Sequence, residues 1–174
     1  MSYSKIFTTF FGVGTIKKAP GTFGSLAGLL FWLIIHKLLN INDSSALYKA
    51  NWFWIAFVLV VTIYALDAIK NYGSQVKEID HKSIVIDEVV GVIIALQIAI
   101  QAINFNIEAS YLASFVIAIS LSFCLFRLFD ITKPSIIGWC DKNLKNSFGV
   151  MLDDILSGLL AGILSYVLII NFFL

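Results

Sequence analysis

The stretch ILSGLLAGILSYVLIINFFL, positions 155–174, carries no charged side chain and follows directly on Asp153-Asp154. An α-helix rises about 1.5 Å per residue, so a run of this length matches the roughly 30 Å hydrocarbon layer of a bilayer. Within hydrocarbon a single run can satisfy its own backbone only as a helix, so the many β-branched Ile and Val residues do not argue for strands. Working outward, Tyr111–Phe129 is a second run of full length, while Phe23–Leu39, Trp52–Leu66 and Val89–Ile103 are shorter, at 15 to 17 residues. The first of these starts some 22 residues in, behind Gly and Pro and with no A-x-A pattern after it, and is expected to be a span rather than a signal peptide. The chain has 174 residues, 59% hydrophobic and 13% charged. A soluble domain carries about 25% charge, which excludes that class, and disorder with it. The expectation is an all-α, multi-pass membrane helix bundle, a single domain over 1–174 with about five transmembrane helices. A net charge of +1 gives no field for nucleic acid. Cys124 and Cys140 lack the spacing of a disulfide framework or a zinc site.

Five spans would place the N-terminus and the 67–88 and 130–154 segments on one face, and the 40–51 and 104–110 segments on the other. Ten of the twelve Lys and Arg residues fall on the first face, leaving Lys37 and Lys49 opposite. The positive-inside rule makes that first face cytoplasmic. Nine of the eleven acids share it, although acids do not direct insertion and cost about 2.5–3.5 kcal/mol at mid-span. Solvated helix ends and caps would explain some of them. The remainder require a compensating partner.

Four clusters on this face bear chemistry. Gly12-Val13-Gly14 and Ala19-Pro20-Gly21-Thr22-Phe23-Gly24-Ser25 precede the first run. Thr22 or Ser25 could cap a helix whose free N–H groups favour an anion, and a plain capped start with close packing at Gly24 explains the residues equally well. In Asp80 to Gly91, Asp87 and Glu88 enter an apolar helix side by side, and adjacent carboxylates repel unless a hard cation with oxygen ligands sits between them. His81 reads as a metal ligand, a proton donor or a surface residue. In Phe126 to Pro134, the one arginine, Arg127, stands three residues from Asp130 and can share a helix face with it. Lys133 follows three further on, where Pro134 disfavours helix. Either Arg127 snorkels at a span end, or Arg127 and Lys133 neutralise phosphate oxygens. In Val150 to Gly158, Asp153 and Asp154 form a second acid pair, and Asp154, Gly158, Ala161, Gly162 and Ser165 give a stripe that lets helices approach closely. Two acid pairs at the same ends of different helices predict one cation site.

Together these residues resemble the phosphatidylglycerophosphatase A family, magnesium-dependent bacterial membrane phosphatases that convert phosphatidylglycerophosphate to phosphatidylglycerol. The family's APGTxGS signature is matched at Ala19 to Ser25, its D-H-x-x-I-V-x-D-E-x-x-G at Asp80 to Gly91, its F-R-x-x-D-x-x-K-P at Phe126 to Pro134 and its D-D-x-x-A-G at Asp153 to Gly158. Ser135-Ile136-Ile137 stands where Trp-Pro-Ile is usual, and Ser157 replaces an alanine. The resemblance implies Mg2+ as cofactor, phosphatidylglycerophosphate in the phospholipid bilayer as substrate, and a bacterial cytoplasmic (inner) membrane location with the site facing the cytoplasm. On this reading Asp87, Glu88, Asp153 and Asp154 ligate the metal, supported by Asp80 and Asp130. Gly21, Thr22, Gly24, Ser25 and His81 contact substrate, and Arg127 and Lys133 clamp phosphate. Asp130 orients Arg127, takes a proton from water, or attacks phosphorus itself. No protein partner is implied. The competing class, a small transporter or cation channel, would need charged groups along mid-span, and the acids gather at one face instead.

Overall fold

A computed structural model describes residues 2–41, 43–103 and 108–172. In chain order the helices are α1 (Tyr3–Thr8), α2 (Pro20–Leu38), α3 (Ser44–Val76), α4 (Ile86–Ala99), α5 (Glu108–Thr132), α6 (Ile136–Asn143) and α7 (Ser147–Phe172), with 3-10 turns at Val13–Thr15 and Ile100–Ala102. No strand occurs among the described residues. Position 42 and residues 104–107, in the expected far-side loops, lie outside the described residues, as do the last two residues of the fifth run.

Four helices, α2, α3, α5 and α7, are long and apolar enough to cross a bilayer. The expected second span is only the middle of α3, whose 33 residues reach about 50 Å. Asp67, the residue after that run, lies inside the helix. The expected third span differs more. It folds as α4, 14 residues or about 21 Å, prolonged by the Ile100–Ala102 turn. Ten of its 14 residues are buried. A helix apolar on every side belongs in a core rather than against lipid. Accordingly α4 forms the axis of the bundle, packed by α2, α5 and α7.

Close approach of backbones holds the axis in place. A Cβ on Gly158 of α7 would lie 2.3 Å from the Gly91 carbonyl oxygen of α4, and one on Gly28 of α2 would lie 2.7 Å from Val92. At the end of the bundle where α4 finishes, polar side chains make a second tie. The Trp32 indole donates to Gln97 Oε1 at 3.0 Å, Gln97 Nε2 to Asn51 Oδ1 at 2.6 Å, and Gln101 Nε2 to the same oxygen at 2.8 Å. Helices α2, α3 and α4 are thereby joined where α4 alone would leave amides in hydrocarbon.

The contact at Gly158 generates a stability prediction. Gly158→Val should destabilise the bundle by about 1–3 kcal/mol, because the obstacle is backbone and not a movable side chain. Thermal unfolding in detergent should show a midpoint lowered by roughly 2–10 °C. Ser157→Ala, which loses one hydroxyl bond to the Asp153 carbonyl oxygen, should cost about 1 kcal/mol or less.

Candidate functional site

Helices α2, α4 and α7 start at one end of the bundle and α5 finishes there, which gathers all four sequence clusters. Asp87 and Glu88 occupy the first turn of α4, and Asp154 the second turn of α7. One carboxylate oxygen from each of the three lies within 4.8 Å of the others. Asp87 Oδ1, Glu88 Oε2 and Asp154 Oδ1 are buried and have no hydrogen-bond partner. Three carboxylates gathered this closely repel each other in a medium that screens poorly. The donor set therefore fits a hard divalent cation, which takes oxygen ligands and completes its shell with water or phosphate.

The first turn of α2 closes over this cluster. A Cβ at Gly21 would fall 2.4 Å from Glu88 Oε1 and 3.5 Å from Arg127 Nη1, so a side chain here would displace the Glu88 carboxylate. Arg127 is ion-paired with Asp130 three residues on, as their spacing predicts. Its Nη1 also donates to Ser25 Oγ at 3.2 Å, while its buried Nε has no partner. Arg127 thus lies across Gly21 from Glu88 and keeps donors to spare.

Several expected site residues are placed elsewhere. Neither Thr22 nor Ser25 caps α2. The cap position is Ala19, with Pro20 at the first turn, and Ser25 donates back to the Gly21 carbonyl oxygen at 2.8 Å. The Thr22 and Phe23 N–H groups are taken by the Ala19 carbonyl oxygen and do not await an anion. Gly24 packs on Val85, where a Cβ would meet Val85 Cβ at 2.7 Å. Asp153 stands outside that group and accepts from Lys133 Nζ at 2.6 Å and from the Asp154 N–H at 3.1 Å. Lys133 also donates to Asp141 on α6 at 2.6 Å. The reason is local: α5 ends at Thr132 and Lys133 adopts the left-handed conformation, φ 44°, ahead of Pro134. This swings Lys133 off the face that carries Arg127 and Asp130, towards α6 and α7. Burial by itself would favour a neutral amine, yet the hydrogen bonds it donates to Asp141 and Asp153 hold Lys133 protonated above its ordinary range. The same lysine keeps the Asp141 carboxyl below the usual range.

Asp80 is exposed and lines a cavity of about 400 Å³ together with Asp141, Lys145 and Asp153. His81 lies at a different cavity, hydrogen-bonded to Ser83. Its partners Ser83 and Tyr72, and the clasp from Asp141 to Lys133, were missed by sequence reasoning. The first had no signal beyond the exposed-loop pattern, and the second needs the position of α6.

Comparison with known proteins agrees with the motifs. The family model described as phosphatidylglycerophosphatase A matches residues 6–169. The Haemophilus influenzae protein named phosphatidylglycerophosphatase A is 34% identical over 156 residues, covering 90% of this chain and 82% of the relative. The Escherichia coli protein of the same name is 33% identical, covering 90% and 78%. A Bacteroides thetaiotaomicron protein provisionally named a phosphatidylinositol-3-phosphatase is 36% identical, covering 92% and 87%. No solved structure matches the chain. With four motifs meeting at one end of the bundle and the family model spanning nearly the whole sequence, the chain belongs to the phosphatidylglycerophosphatase A family.

Proposed function

We propose that this phosphatase removes the terminal phosphomonoester of phosphatidylglycerophosphate, releasing phosphate and leaving phosphatidylglycerol, with Mg2+ held by Asp87, Glu88 and Asp154. The observation that carries the reading is the meeting of three carboxylates, each with a buried and unpartnered oxygen, beside the chain's one arginine. The names of the relatives narrow the substrate: both kinds of lipid carry a phosphomonoester on a polyol joined to the diacylglycerol through a phosphodiester. When bound, the cation would neutralise phosphate oxygens and lower the pKa of a water.

The protein's own groups do the rest. A phosphate monoester presents up to two negative charges, and its transfer passes through a loose transition state that rewards positioning and charge stabilisation. Arg127 offers a planar fork to the phosphate oxygens, held at one edge by Asp130 and Ser25. That pairing supports Asp130 as the group that orients the guanidinium, and water as the attacking oxygen. Lys133, fixed between Asp141 and Asp153, supports the site by clasping α5, α6 and α7. The bundle end that holds the site also carries most of the lysines, which supports a cytoplasmic orientation in the bacterial inner membrane. Nothing in the fold favours a transporter.

Three measurements test these assignments. Phosphate release by the detergent-purified protein should need added Mg2+ and stop with chelator, and Asp154→Asn should lower it by about a hundredfold or more. The same substitution removes one charge from a repelling group, so it should keep or raise the metal-free unfolding midpoint. Full activity in Asp154→Asn and Asp87→Asn would reduce the acids to helix-end residues. Arg127→Lys keeps charge and loses the fork, and should cut kcat by about a hundredfold with the unfolding midpoint little changed. In a cysteine-free background, impermeant label applied to whole cells should reach a cysteine at Ser45 and not one at Lys142. The opposite pattern would invert the orientation.

A further inference from the structure

Beside the carboxylate cluster lies a cavity of about 470 Å³ lined by Lys5, Lys17, Lys82 and His81, with no Asp or Glu among its lining residues. The three lysines come from α1, from the segment before α2 and from the turn before α4. None of them is ion-paired among the described residues, where the ion pairs belong to Arg127 and Lys133. Three lysines around one cavity without a counter-charge in its lining favour an anion there. Topology does not require this convergence. The positive-inside rule asks for basic residues on a face, not for three of them around one cavity.

The floor of the cavity is built. The Ser83 N–H donates to His81 Nδ1 at 3.2 Å, and the Ser83 hydroxyl lies 2.7 Å from that nitrogen and 2.9 Å from the Tyr72 hydroxyl. Ser83 and Tyr72 are buried. Because Nδ1 accepts, the neutral ring carries its proton on Nε2, where it is free to donate. The cavity is also in register with the carboxylate cluster. Pro20 lines it, and the next residue, about 3.8 Å on from Cα to Cα, is Gly21 against Glu88 and Arg127. The two sites share the first turn of α2.

We propose that this cavity takes a second phosphate of the same substrate: the phosphodiester that joins the headgroup to the lipid, while the terminal monoester lies at Arg127 and the carboxylates. The inference rests on the reading of the chain as a lipid phosphomonoesterase. The residue types suit the division. A diester carries a single charge and is met by lysine point charges and one imidazole N–H, whereas the doubly charged monoester gains from the arginine fork. The cavity then sets specificity for lipids that carry two phosphates.

The test compares the full-length protein with Lys17→Ala/Lys82→Ala in neutral detergent micelles. Both lysines are exposed and unpaired in ion pairs, and an unchanged unfolding midpoint will show that the double variant folds. Its KM for phosphatidylglycerophosphate should rise about tenfold or more with kcat held, while KM for phosphatidate, a monoester without the diester, stays put. Lys17→Arg/Lys82→Arg should restore the lower KM. An equal change on both substrates, or none, defeats the proposal. Phosphatidylglycerol added to the micelles identifies the source of the diester. Competition that weakens in the double variant supports the substrate's own diester, and activation would assign the cavity to a neighbouring bulk lipid and overturn it. Should the unaltered protein fail to hydrolyse phosphatidylglycerophosphate, the functional reading falls separately. Calorimetric binding of dihexanoyl phosphatidylglycerol then decides on the cavity alone: about tenfold weaker in the double variant supports it, and equal affinity rejects it.

Discussion

Contact between the backbones of α4 and α7 at Gly91 and Gly158 governs both the packing and the chemistry of this bundle. Glu88 and Asp87 stand three and four residues before Gly91, and Asp154 stands four before Gly158. On a helix those spacings share a face. The van der Waals contact that locks α4 onto α7 therefore also drives three carboxylates together. Dispersion energy gained along the seam opposes electrostatic repulsion at its end, and a bound cation would turn the repulsion into attraction. Larger residues in the seam would relieve the repulsion and dissolve the site.

The two cations of the site do different work because of where a helix stops. Arg127 lies on the last turns of α5 and points at the cluster, held by Asp130 and Ser25. Lys133 lies just past the end of the same helix, in left-handed backbone, and is spent on Asp141 and Asp153. One charge stands beside the carboxylates, while the other ties the short α6 to α7. A half-buried lysine with two carboxylate partners is a clasp, and its strength lies in having both.

Much of this was legible in the sequence, and the limits have physical causes. The runs at 111–129 and 155–174 announce spans by length alone; α5 extends three residues past each end of the first, and α7 starts eight residues before the second. The run at 89–103 is equally apolar, but apolar length does not distinguish a helix facing lipid from one facing other helices, and α4 is the latter. Both acid pairs were visible as pairs. On α4 both neighbours reach the cluster, whereas on α7 only Asp154 does, because Asp153 is taken by Lys133. The small-residue stripe of Asp154, Gly158, Ala161, Gly162 and Ser165 runs along the seam, but on sequence alone both acids read as ligands. The partner of Lys133 was not legible, because it depends on how α6 folds back after Pro134.

The amides at the far end of α4 carry a consequence for biogenesis. A helix of 14 residues with two carboxylates at its start and Gln97 and Gln101 near its finish is a poor candidate to leave the translocon alone. Gln97 finds its hydrogen bonds on Trp32 and Asn51, and Gln101 finds its own on Asn51. Those partners belong to α2 and α3, which are synthesised first. The chain order is thus an assembly order: the helix bearing the acids enters the membrane as cargo of a pair already waiting to receive it.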